Sequence, residues 1–235
     1  MGAGLLLGVF LLAQTAPATR DENWAGCKDA NADARIKGCT ALILSGTENP
    51  RDLAVAYHNR ANANRAKQLF DLALQDYDEA IKLNPRFTDA IGDRGITLIA
   101  MGRYPEAIPD FTQVIDLDPK SGYAMYDRGL AYEGLGLDDL AIKDFSSAIQ
   151  QEPRDAHRFE RRGTAYFRKK DYEKAMADYE QALLFDPQYA PALYGRGIIK
   201  RLRGDPAGGG ADVANAKHFQ ADIDRVMTLA GVKER

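Results

Sequence analysis

Asp127-Arg128-Gly129-Leu130-Ala131-Tyr132, followed by Gly136 and by Leu140-Ala141-Ile142-Lys143-Asp144-Phe145, is one copy of a pattern that recurs along the chain. An Arg and an Asp sixteen residues apart return at a period of 34: Arg60 with Asp76, Arg94 with Asp110, Arg128 with Asp144, Arg162 with Asp178 and Arg196 with Asp212. No insertion breaks the count. A fixed period of this length means that each copy is a small unit, able to bury its apolar face only by stacking on its neighbours. The pattern predicts a solenoid.

Spacing gives the shape of each unit. Around each Arg, the residues at minus three, plus one and plus four (Tyr57, Ala61, Asn64; Ile91, Gly95, Leu98; Met125, Gly129, Tyr132; Phe159, Gly163, Tyr166) fall on one face of a helix. Ala73, Tyr77 and Ala80, with their equivalents, repeat that spacing and predict a second helix. Between the two stand Gln68, Gly102, Gly136, Lys170 and Gly204, and the three Gly suit a left-handed helix end. If the chain reverses there, each Arg faces its Asp. The small residue beside the Arg lets the backbones approach, and Pro85, Pro119, Pro153 and Pro187 stop the second helix.

This arrangement resembles the tetratricopeptide repeat family, a helix-turn-helix repeat of the same period with small, aromatic, small and Pro residues at these places. Four copies match from Ala54 to Tyr189 and a fifth is partial. The resemblance implies an all-α, right-handed superhelical solenoid of helix-turn-helix repeats with a capping C-terminal helix. It also implies a domain that binds other proteins in the groove of its superhelix. Some members hold a partner's C-terminal carboxylates with a clamp of Lys, Asn and Arg. At those places this chain has His58, Asn62, Asp93, Tyr123 and Asp127, of which only the Asn matches. Asp93 and Asp127 would repel a carboxylate, so that mode is not expected.

The expected divisions are a leader over residues 1–18, an N-terminal cap over 19–53, four repeats over 54–189, and a degenerate fifth repeat with a capping helix over 190–235. The chain has 235 residues, 45% hydrophobic and 28% charged, with a net charge of -3. That composition is globular, and its slight acidity offers no general attraction to nucleic acid or an anionic membrane. Leu5 to Leu12 is an apolar run followed by Ala16-Pro17-Ala18, small residues at a cleavage point. This reads as a secretory signal peptide, although no Lys or Arg precedes the run; the alternative is an uncleaved apolar tail. Export to the periplasm or outside the cell is expected, with a mature protein starting near Thr19 and no stable membrane insertion.

Cys27 and Cys39 support export, since a disulfide persists only in an oxidising compartment. Ala34 to Ser45 reads as a lone second helix, with Ala34, Gly38 and Ala41 at the places of Ala73, Tyr77 and Ala80 and its first helix lacking. The region around Trp24 and Cys27 is expected to fold back over Cys39, where a bridge would add about 2 to 4 kcal/mol. The alternative is two buried thiols. Two Cys without a nearby His give too few ligands for a metal.

The Arg and Asp ladder reads as one ion pair inside each unit, because a planar guanidinium meets a carboxylate with two bonds. An anion-binding stripe is the functional alternative. The groove should be lined by the first helix of each unit, at minus two, plus two and plus five from the Arg. Ile96, Ile99, Tyr126, Leu130, Phe167, Tyr194 and Ile198 then form an apolar track, with His58, Asn62, Arg65 and Glu133 as polar members. Such tracks mark protein contacts, here with a peptide or protein partner. Alternatively, the C-terminal helix covers part of the track.

Pro206 and Gly208-Gly209-Gly210 fall where the second helix of the fifth unit should begin, so that helix is expected to start at Ala211. Phe219 to Leu229 reads as one amphipathic capping helix. His58, His157 and His218 lie on three units with no shared spacing, no nucleophile motif is present, and no cofactor or metal is implied. The expectation is a non-enzymatic interaction scaffold, with self-assembly into a homo-oligomer as the alternative.

Overall fold

The computed structural model describes residues 18–233. The expected leader lies almost wholly outside these described residues. Thirteen helices and no strand are found among them. Two precede the repeats, α1 (Arg20–Cys27) and α2 (Ala32–Ser45). Five hairpins follow: α3 (Pro50–Ala66) with α4 (Phe70–Leu83), α5 (Thr88–Ala100) with α6 (Tyr104–Leu117), α7 (Gly122–Gly134) with α8 (Asp138–Gln151), α9 (Ala156–Arg168) with α10 (Tyr172–Phe185), and α11 (Ala190–Leu202) with α12 (Pro206–Phe219). The chain ends on α13 (Ile223–Leu229).

Each hairpin turns on a left-handed residue: Gln68 (φ 60°), Gly102 (72°), Gly136 (70°), Lys170 (62°) and Gly204 (87°). Two of these carry side chains in a region that L-residues avoid. Within the hairpins the small residue beside the ladder Arg is used for close approach. A Cβ on Gly95 would come within 2.7 Å of the Phe111 ring. Ala61, Ala73, Tyr77 and Ala80, all fully buried, make the same contact in the first unit. First helices pack on the first helix of the next unit at α3–α5, α5–α7 and α9–α11. No pair of second helices makes a comparable contact, so the first helices line the inner, concave wall.

Four expectations about the ends are corrected. The cap does have a first helix, the short α1, started by a capping box between Thr19 and Glu22 and joined to α2 by the Cys27–Cys39 disulfide. The inward face of α2 is Gly38, Cys39 and Leu42 rather than Ala34, Gly38 and Ala41. α3, 17 residues against 13 in the later first helices, sets α2 one turn further back and so changes the register of its inward face.

The fifth second helix is full length, starting at Pro206, because Asp205 accepts a hydrogen bond from Gly208 N at 2.8 Å and Gly209 presses against the backbone of Gly197. The glycine run is therefore a packing surface. Finally, the chain breaks at 220–222, and only Ile223 to Leu229 forms the last helix.

Candidate functional site

The ladder is built as two-bonded pairs in all five units. Arg60, Arg94, Arg128, Arg162 and Arg196 each donate Nε and Nη2 to the two carboxylate oxygens of their Asp at 2.6 to 3.0 Å. Those bonds raise each guanidinium above its ordinary value. The sequence did not reveal the third arm. Nη1 of Arg60, Arg94, Arg128 and Arg162 reaches back to Thr40, Asp78, Thr112 and Ser146 of the preceding hairpin, at 3.1, 2.6, 3.1 and 3.1 Å. Each of these four Arg thus closes its own hairpin and fastens it to the one before.

The concave wall has two halves. Over α9 and α11 it is closed: Phe167, Tyr194 and Ile198 are buried in one cluster with Ile223, Met227 and Val232 of the C-terminal segment. Arg168 Nη1 donates to Ala230 O at 3.2 Å and to Glu133 at 2.8 Å, tying that segment to α7 and α9. These three apolar residues therefore belong to the core, because the chain's own end covers them. Glu133 is occupied by Arg168 and Arg161.

Over α3, α5 and α7 the wall is open. Ile96, Ile99, Tyr126 and Leu130 are half-buried. The Tyr126 ring lies 5.6 Å from that of Phe145, and burial pushes its hydroxyl up to about 12. At the N-terminal end His58 Nε2 meets Asp93 Oδ2 at 2.8 Å, Arg65 reaches the other oxygen at 3.4 Å, and Asn62 bonds both His58 and Tyr77. Three of the polar groove residues are thus joined into one network through Asp93.

A cavity of about 390 Å³ opens between α5 and α7. Ile96, Phe111, Val114 and Ala124 supply apolar lining, and Asp89, Asp93, Asp118 and Asp127 supply carboxylates. No Lys, Arg or His lines it. Asp127 has no hydrogen bond or ion pair among the described residues, and burial pushes its carboxyl up to about 6, against the pull of Arg158. Asp93 and Asp127 stand one position before the ladder Arg. That place was legible as a groove position, but the spacing rule used for the track skipped it.

Among the described residues no group of three or more His, Cys, Asp or Glu is placed to hold a metal ion, and no helix is long and apolar enough to cross a membrane.

Known proteins agree with this architecture. Family models described as tetratricopeptide repeat match residues 54–87 and 93–156, and one described as TPR repeat matches 163–200. No curated protein sequence matches the chain. Among solved structures, YrrB, a TPR protein, is similar at 20% identity and a TM-score of 0.64, over 83% of this chain and 98% of that one. MamA from Desulfovibrio magneticus is similar at 20% identity and 0.66, over 73% and 97%. A tetratricopeptide repeat protein from Parabacteroides merdae is similar at 22% and 0.63, over 90% and 82%. At these identities the likeness speaks to fold. With three family models matched over 54–87, 93–156 and 163–200, and hairpins that repeat the same Arg and Asp pairing, the chain belongs to the tetratricopeptide repeat family.

Proposed function

We propose that this protein is a scaffold that holds a segment of a partner protein in the open half of its concave groove, across α3, α5 and α7. The observation that carries the reading is the contrast between the two halves of one wall. The apolar track is satisfied by α13 where it runs over α9 and α11, and it continues uncovered over Ile96, Ile99 and Leu130. Half-buried apolar residues in a concave strip are the usual mark of a protein contact. The similar structure of YrrB is described as having an unusual peptide-binding site, which supports a peptide as the form of the ligand. Two features support a location in the cell envelope or outside the cell: the apolar run from Leu5 to Leu12, and the Cys27–Cys39 disulfide.

Affinity capture from an extract of the source organism tests the reading, with Leu130→Ser as control. A protein captured by the natural chain and lost with the variant supports it. Capture unaffected by the variant moves the contact elsewhere. Recovery of only the protein itself, with a solution mass that rises with concentration, replaces a foreign partner by self-assembly.

A further inference from the structure

The cavity between α5 and α7 differs in charge from the rest of the groove. Two acids of the concave wall are matched: Asp93, on the N-terminal side of this cavity, has His58 and Arg65, and Glu133 has Arg168 and Arg161. Inside the cavity Asp127 is left without a partner, Asp89 and Asp118 stand at the exposed rim, and no basic side chain lines the wall. The lining between these acids is apolar, from Ile96, Phe111, Val114 and Ala124. A group that satisfies both features has an aliphatic stem and a cationic head, because the stem buries methylenes and the head meets the carboxylates.

The size agrees. A volume of about 390 Å³ admits a long side chain and excludes a folded element. The protein already seats one guanidinium next door: Arg158, almost fully buried, lies over the rings of Tyr123 and Tyr126 at 5.3 and 6.0 Å, with Glu152 and Asp155 as partners. That arginine is spoken for and does not enter the cavity lining.

Resting on the groove reading above, we infer that the cavity is a specificity pocket for a lysine or arginine side chain of the bound partner segment, with Asp127 as the group that meets its charge. The occupant is a side chain of a longer segment rather than a free amine, since the cavity shares Ile96 with the apolar track that runs on past Ile99 to Leu130. The pocket selects against an acidic residue at the same place, because two or more carboxylates would then face a third.

The test uses four small probes of equal stem length: n-butylguanidinium, n-butylammonium, n-butanol and pentanoate. Binding is read from the methyl NMR signals of Ile96, Val114 and Ala124 in the full chain. The inference expects saturable shifts with both cations, about ten-fold weaker binding of n-butanol, and none of pentanoate. Asp127→Asn should bring the cations down to the n-butanol level while leaving the spectrum of the fold intact, as this carboxylate bonds nothing in the free protein. Equal binding of n-butylammonium and n-butanol, or cation binding unchanged by Asp127→Asn, overturns the pocket assignment. The outcome is separate from the groove reading: a partner lost with Leu130→Ser but indifferent to Asp127→Asn leaves the groove standing and removes the basic anchor.

Discussion

Arg128 and Asp144 meet through two parallel hydrogen bonds, Nε to Oδ2 at 2.7 Å and Nη2 to Oδ1 at 3.0 Å, while Nη1 of the same Arg donates to Thr112 at 3.1 Å. One side chain therefore holds a hairpin closed and joins it to the preceding one. In a solenoid, whose stability is a sum of unit and interface terms, a residue acting in both has a large effect. Arg128→Ala leaves the buried Asp144 carboxylate alone and should cost about 2 to 4 kcal/mol. Thr112→Val removes the interface bond, and the hydroxyl's bond to Ile108 O, while leaving Arg128 and Asp144 paired, and should cost about 1 kcal/mol. Arg128→Lys should rescue little, because an ammonium cannot present this fork. Thermal melts decide: an unchanged melt for Arg128→Ala contradicts the account.

The glycine run of α12 gives a pair of opposite signs. A Cβ at Gly209 would strike the carbonyl of Gly197, whereas one at Gly210 meets only the Arg201 guanidinium at an ordinary 3.7 Å. Gly209→Ala should therefore destabilise by about 1 to 3 kcal/mol despite the better helix propensity. Gly210→Ala should stabilise by about 0.5 to 1 kcal/mol through that propensity. Denaturant midpoints of the two variants, moving in opposite directions, would confirm that the run is a packing surface.

The two halves of the groove predict different outcomes for two apolar substitutions. Phe167 is buried beneath the C-terminal segment, so Phe167→Ser should lower stability by about 3 kcal/mol and loosen α13. Leu130 is half-buried on the open wall, so Leu130→Ser should change melting far less. Hydrogen exchange at Met227 and Val232 reads the difference: it should accelerate with the first variant and not with the second.

Asp127 makes stability depend on pH. Burial raises its carboxyl from 3.8 to about 6; Asp93 reinforces the shift and Arg158 opposes it. The folded protein thus holds this proton more tightly than the unfolded chain does. The stability so gained is complete below about pH 4 and is lost as pH rises through about 6. Asp127→Asn, uncharged throughout, should exceed the natural chain by about 1 to 2 kcal/mol at pH 7.5, with the gap closing toward pH 4. A gap independent of pH contradicts the burial of a lone charge here.

Most of the fold could be read from period and pairing. The Arg and Asp spacing placed the hairpins, and the turn residues placed the reversals, including Gln68 and Lys170, where stacking forces a left-handed backbone on a side chain. The ends were less legible because they leave the period. α3 is a turn longer than the later first helices, 17 residues against 13, which shifts the register of α2, so Thr40 takes the place held by Thr112 and Ser146 in later units. Gly208 to Gly210 looked like a breaker, since helix propensity does not register that a neighbouring glycine offers a close backbone seat. In the groove, helical spacing placed Phe167, Tyr194 and Ile198 on the concave wall, but burial under α13 depends on where the chain goes after Phe219. Asp127 was visible as a charge; its isolation required the surrounding side chains.

Site-specific photocrosslinking tests the groove most directly. A photoreactive residue replaces Tyr123, at the rim of the open cavity, or Leu184, on α10; each natural side chain is 69% exposed. The account predicts that a partner is trapped from position 123, that excess unlabelled partner segment suppresses the product, and that position 184 yields none. Trapping from 184 with none from 123 would show that the partner docks outside the groove.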